Sequence, residues 1–192
     1  VNSGAFDPAG EICRLAHEAG AWVHVDSAFG LWAGAAPGRA HLVAGVDQAD
    51  SWATDAHKWL NVPYDSGLVF CRERRHLRAA LSHIRAAYLL DGEPNQPREP
   101  MELTPEMSRR ARGIEVWAAL HSLGRTGLAD LIERCCRLAT KFAETLSAAG
   151  FAILNEVELN QVLVSFGDDA FTNRVIRAVQ QEGTLWAGGT VW

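Results

Sequence analysis

The stretch 7–26, DPAGEICRLAHEAGAWVHVD, decides the fold class. Asp7 and Pro8 together supply a helix N-cap and a proline suited to the first helical position. Ile12, Leu15, Ala16 and Ala19 then recur at helical spacing, and Gly20 provides the stop. The period changes at once: Trp22, Val23 and Val25 mark 21–26 as a buried strand. A loop rich in Gly and Ala follows, with further short strands expected at 51–54 and 67–71. Helix, strand, loop and strand in this rhythm predict an α/β layer with a mostly parallel sheet.

Downstream, 72–86 reads as a helix carrying Arg72, Arg74, Arg75, Arg78 and Arg85. Leu77, Ala80, Leu81 and Ile84 recur within it, so a solvated outer face is expected rather than a nucleic-acid patch. Residues 91–105 hold Pro94, Pro97, Pro100 and Pro105 and read as a loop. Two helices are expected at 108–123 and 128–149, separated by Gly124 and Gly127. Leu128, Leu131, Ile132, Cys135, Leu138, Ala139, Phe142 and Leu146 form the expected buried face of the second. After Gly150 come strands at 151–154 and 161–166, a helix at 171–181 and a strand near Leu185. This β-β-α-β tail predicts the start of a smaller α+β domain.

The composition, 48% hydrophobic and 21% charged over 192 residues, is that of globular material. A net charge of −5 gives no general attraction to nucleic acid or anionic membrane. Cys13, Cys71, Cys135 and Cys136 have neither metal-site spacing nor disulfide-scaffold density, and read as reduced packing residues. With no membrane-length apolar run and no leader pattern, the cytoplasm is the expected compartment. The ends, Val1-Asn2-Ser3 and Thr190-Val191-Trp192, read as those of a piece of a longer protein.

The chemistry concentrates in two places. In His24-Val25-Asp26, strand alternation puts His24 and Asp26 on one face, opposite Val23 and Val25. Asp26 falls at the strand's end, before the small residues Ser27 and Ala28. Ligands of open α/β sheets sit outside such carboxyl ends. At the next strand end comes Thr54-Asp55-Ala56-His57-Lys58-Trp59-Leu60. Of 18 Lys and Arg residues only Lys58 and Lys141 are lysines, so a lysine among aromatics calls for its own explanation. Partial desolvation there is expected to expose the amine lone pair for condensation with an aldehyde. Pyridoxal phosphate requires such an amine and an anion against its pyridine nitrogen. Lys58 and Asp26 are the candidates for the two ends.

These segments, with Gly4-Ala5-Phe6-Asp7-Pro8 before them and Ser108-Arg109-Arg110 after, resemble the group II pyridoxal-phosphate-dependent decarboxylases. That family includes the glutamate, aromatic-amino-acid and histidine decarboxylases. The resemblance implies an aspartate-aminotransferase-type fold with a large cofactor domain and a small C-terminal domain. It assigns 1–125 to the large domain, and 126–192 to a connecting helix and the start of the small one. Lys58 would be the Schiff-base lysine, Asp26 the pyridinium partner and Ala28 a residue against one ring face. His57 would lie beside the cofactor, and Asp55 stands where many relatives have an asparagine near the phosphate. The phosphate-cradling loop would precede Val1, and the arginine for the substrate carboxylate would follow Trp192. The chain alone is accordingly expected to bind cofactor weakly. The implied reaction is loss of carbon dioxide from an amino acid to give an amine, in a homodimer.

Other readings stay open from the residues themselves. Another reaction on the same scaffold, a carbon–carbon lyase or aminotransferase, uses the same lysine, and an inactive fragment uses none of it. His24, Asp26, Asp55 and His57 would also make a two-nitrogen, two-oxygen metal set, although that leaves Lys58 unexplained. His24 is otherwise a buried, hydrogen-bonded strand histidine, and the tryptophans are expected mostly in core or interface. Arg109, Arg110 and Arg112 are expected mainly as exposed helix charges. The identity of the amino acid is not legible.

Overall fold

The computed structural model of the chain describes residues 2–81 and 103–191. They fall into two compact units. One comprises Pro8–Leu31 and Val43–Gly124; the other comprises Val1–Asp7, Trp32–Leu42 and Arg125–Trp192.

The first unit begins with helix α1, Ala9–Glu18. Asp7 is not its N-cap. Pro8 holds that position with a non-helical ψ of 72° and no side-chain cap, while its carbonyl accepts from the amides of Glu11 and Ile12. Gly20 does end the helix, at φ +70°, a conformation that favours glycine. Its amide donates to His17 O and that of Ala21 to Ala16 O, satisfying carbonyls the helix would otherwise leave open.

Strand β1, His24–Asp26, pairs parallel with β2, Ser51–Asp55, so that Asp26 stands beside Ala53. Strand β3, Gly67–Cys71, runs antiparallel to β2, with Gly67 beside Asp55. The three described strands thus form one parallel and one antiparallel pair. The long 27–50 connection can carry a parallel crossover; the short 56–66 connection returns the chain antiparallel. Three 3-10 turns, Gly30–Ala35, Ala40–Val43 and Val46–Gln48, occupy what reads in sequence as plain loop.

Helix α1 covers one sheet face. Cys13, Val23 and Ala49 are buried together, with Ala16, Val25 and Trp52 packed against them. Burial, and then the Asp50 carboxylate, push the Cys13 thiol up. The turn Val46–Gln48 approaches α1 so closely that a Cβ on Gly45 would stand 2.5 Å from Gly10 N. His24 and Asp26 lie on the other face, exposed.

A four-residue helix α2, Ala56–Trp59, follows β2, and α3 spans Arg74–Leu81 after β3. The rest of the expected 72–86 helix, and 91–102 of the proline-rich segment, lie outside the described residues. Residues 108–112 are not helical as expected; α4 starts at Gly113 and runs to Ala148. Arg112 explains the delay: its Nε donates to Asp65 O at 3.0 Å and Asp65 Oδ1 at 2.8 Å. Arg110 donates to Asp65 O at 3.1 Å and also pairs with Glu115. Two of the three arginines thus anchor a loop and do not decorate a helix. The Arg112 hydrogen bond holds the Asp65 carboxyl below its usual range and, reciprocally, Arg112 above its own.

Gly124, at φ 60° and ψ −176°, interrupts α4 where a break between two helices was expected. In the second unit its later half buries Leu128, Ile132, Cys136, Ala139 and Ala143. Leu138 and Phe142, expected on that face, are 59% and 47% exposed. Each precedes a buried residue by one position, and one position on a helix is a rotation of about 100°. The short strands β4, Ala152–Ile153, and β5, Val164–Ser165, pair antiparallel. The Asn155 side chain spans their connection, donating to Ser3 O and Gln161 O and accepting from Leu163 N. Helix α5, Asp169–Glu182, is capped by the Asp168 carboxylate, which accepts from Phe171 N at 2.6 Å. The strand expected near Leu185 is absent from the described residues; Gln180 Nε2 donates to Ala187 O and draws that segment along α5.

Among the tryptophans Trp59 is buried, whereas Trp22, Trp117 and Trp186 are 50%, 65% and 81% exposed. No helix among the described residues is long and apolar enough to cross a membrane.

Candidate functional site

The candidate residues all belong to the first unit and gather where β1 and β2 end side by side. Asp26 closes β1, and its Oδ1 accepts from Ala28 N at 3.2 Å, turning the chain within two residues. Ser27 N donates to Ala53 O, extending the ladder by one step. Ala28 O then accepts from Asp55 N at 2.7 Å, so the turn after β1 is tied to the last residue of β2. The buried Thr54 hydroxyl adds a 3.4 Å contact to the same carbonyl. Backbone bonds thereby fix Asp26, Ala28 and Asp55 relative to one another.

Helix α2 begins directly after Asp55, which puts His57 and Lys58 in its single turn. Trp59 and Leu60 are buried and anchor it. Lys58 Nζ lies 2.9 Å from Asp55 Oδ2 and 5.7 Å from the centroid of the Phe29 ring. The side chain is 39% exposed, so the partial desolvation expected for Lys58 is modest. Trp59 points into the core, and a carboxylate and the more distant Phe29 attend the amine.

His57 is held on three sides. Its Nδ1 lies 3.0 Å from both the amide nitrogen and the carbonyl oxygen of Ser66. Its ring meets the Tyr64 ring at 4.1 Å between centroids, and its Nε2 is 3.7 Å from Asp55 Oδ2. Ser66 O also accepts from the amides of Ala56 and His57, the first unpaired donors of α2. The loop 61–66 is thus a structural part of the site.

His24 is hydrogen-bonded, as expected, but exposed where a buried ring was expected. Its Nδ1 lies 2.8 Å from Ser51 Oγ, which also accepts from Trp22 Nε1. Among the described residues no three His, Cys, Asp or Glu side chains gather as a metal site. His24, Asp26, Asp55 and His57 therefore do not come together as the ligand set considered above.

Sequence reasoning missed Phe29, Tyr64 and Ser66. Phe29 had a faint signal as the aromatic directly after the small residues. Tyr64 and Ser66 had none beyond a turn-forming Pro63-Tyr64-Asp65, because their contacts arise only when the loop folds back on α2.

The fold is of the aspartate-aminotransferase type. It superposes on the crystal structure of Oryza sativa TDC with PLP and tryptamine with a TM-score of 0.91 and 22% identity, covering 99% of this chain and 42% of that one. The description "Pyridoxal-dependent decarboxylase conserved domain" matches residues 1–167, and the chain belongs to that family. It is 32% identical over 150 residues to tyrosine/DOPA decarboxylase 3 of Papaver somniferum, which covers 77% of this chain and 28% of that protein. It is 31% identical over 151 residues to the aromatic-L-amino-acid decarboxylase of Bacillus atrophaeus, 78% of this chain and 31% of that one. The chain thus spans roughly a third or less of the length of these curated relatives.

Proposed function

We propose that the protein is a pyridoxal-phosphate-dependent amino-acid decarboxylase that binds its cofactor through Lys58. The observation that carries this reading is the placement of Lys58 and Asp26 at the carboxyl ends of adjacent parallel strands, within a chain of this family. The donor set suits the cofactor. Lys58 supplies a primary amine for the aldehyde; Asp26 supplies an exposed carboxylate for the pyridine nitrogen. Ser27 and Ala28, too small to obstruct a planar ring, lie at the turn after Asp26.

When bound, the cofactor supplies an electron sink that makes a bond at the substrate Cα breakable. The chain's own residues do the rest. Asp26 would keep a proton at the pyridine nitrogen and so maintain the sink. Ala28 would lie against the ring. His57, oriented by Ser66 and Tyr64, stands beside the cofactor as a positioned imidazole. Lys58, where its amine is free, would be a proton-carrying group at the strand end. The same reading takes 1–125 as part of the large cofactor domain, and 126–192 as connecting helix and the beginning of a small one. It takes the assembled protein to be a cytoplasmic homodimer acting on an amino acid. Relatives whose names specify tyrosine, DOPA or aromatic amino acids make those the first substrates to try.

Borohydride reduction of the full-length protein in the presence of pyridoxal phosphate, followed by peptide mass spectrometry, tests the assignment. One phosphopyridoxyl group on the peptide bearing Lys58 is expected, with amine and carbon dioxide formed in equal amounts from an aromatic amino acid. Labelling of Lys141 in preference to Lys58 would overturn it.

A further inference from the structure

Asp55 is the least explained residue of the site. A carboxylate near a phosphate dianion repels it, yet an aspartate stands at a position read as near the cofactor phosphate. Its surroundings point to the other end of the cofactor. Its Oδ2 meets Lys58 Nζ at 2.9 Å and lies 3.7 Å from His57 Nε2. The backbone holding it is fixed: its amide donates to Ala28 O, and it pairs across the sheet with Gly67. The direct passage from strand to α2 places residues 55 and 58 one helical turn apart, so the approach is built into the chain path.

We propose that Asp55 is the counter-ion of the free Lys58 amine, a positioning residue that neutralises the ammonium and holds it at the strand end. The inference rests on Lys58 being the cofactor lysine. In that setting the amine is free before cofactor attaches and again when substrate displaces it. At both moments an unpartnered ammonium on a flexible stem would leave the strand end for solvent; a carboxylate at 2.9 Å keeps it in place. The charged and titratable groups on the elements around the amine are Asp26 of β1, Asp55 of β2 and His57 of α2, with the Tyr64 phenol behind His57. Of these, Asp55 is the one in ion-pair contact with Lys58.

Competitive labelling of the cofactor-free protein by a neutral, amine-selective acylating reagent tests the inference without any turnover. Lys141, on an exposed part of α4, is the internal reference. An exposed ion pair at this distance is worth up to about fivefold in the equilibrium between an amine held at the carboxylate and one released to the reagent. Asp55→Asn is therefore expected to raise the Lys58-to-Lys141 labelling ratio about fivefold, and Asp55→Glu, which keeps the charge, to restore most of the difference. An unchanged ratio in Asp55→Asn with tighter binding of inorganic phosphate would overturn the inference and return Asp55 to the phosphate end. A ratio raised equally by Asp55→Asn and Asp55→Glu would also overturn it, because charge would not be the cause. Reductive trapping of pyridoxal phosphate on the unsubstituted protein separates the two levels: failure to trap at Lys58 defeats the cofactor assignment and leaves the labelling result standing.

Discussion

Strand β2 has an aspartate and a histidine at each end, and the two pairs are built differently. Before its first residue, Asp50 accepts from the Val23 amide at 2.8 Å and from His17 Nε2 at 2.9 Å. At its last residue, Asp55 meets Lys58 and, further off, His57. Asp50 locks a backbone amide of the neighbouring segment and ties α1 to the sheet. Asp55 instead faces a side-chain amine on a one-turn helix, at the end of the sheet where strands of this arrangement open toward ligands. On the proposed reading, the same residue types serve the fold at one end of a strand and the chemistry at the other. What separates them is whether a backbone donor or a movable charged side chain stands opposite.

The sharpest break of this comparison is Lys58→Arg. It keeps a positive charge beside Asp55 but removes the primary amine, so reductive attachment of cofactor should be lost entirely while the melting temperature stays close to the parent's. A large fall in melting temperature would mean that this end, too, is structural.

The next effect separates the two sheet faces. Val23→Ala empties part of the face covered by α1 and should cost about 2 kcal/mol in denaturant unfolding. His24→Ala, on the exposed face, should stay within about 0.5 kcal/mol. Equal costs would show that the exposed face is covered in the assembled protein.

The smallest effect concerns acid. The Val23 amide, then the hydrogen bond from His17, hold the Asp50 carboxyl below its usual range. A depressed carboxylate contributes stability above its unfolded value, near pH 4, and that contribution disappears as pH falls through the lower folded value. Asp50→Asn should therefore melt earlier than the parent at neutral pH, with the gap narrowing below about pH 4. A gap constant with pH would assign the effect to lost packing.

Much of this was legible in the order of residues. The period change inside 7–26 marks α1 and β1, because burying one stripe of a helix and one face of a strand leaves different spacings of apolar residues. The positions of Asp26 and Lys58 at or just beyond strand ends were legible for a related reason: Asp26 closes one strand pattern and Lys58 comes shortly after the next, and strand ends are where α/β layers place ligands. Local pattern also marked Gly20 as a helix stop, since its requirement for positive φ is a property of the residue itself.

Other features were settled by residues distant in sequence. The antiparallel course of β3, the non-helical 108–112 and the missing strand near Leu185 follow from a short return, the Arg112–Asp65 pairing and the Gln180 contact. Which apolar positions of α4 are buried depended on which side its neighbours occupy, so Leu138 and Phe142 lost the place that periodicity offered them. The setting of Lys58 belongs here too. Sequence neighbours suggested an amine among aromatics, but a helical turn sends Trp59 inward and brings Asp55 back to meet the lysine. Residue order determined the class of element and the chemical groups at the strand ends. Tertiary structure decided which group faces which, because a side chain's electrostatic partner is set by where the backbone returns in space.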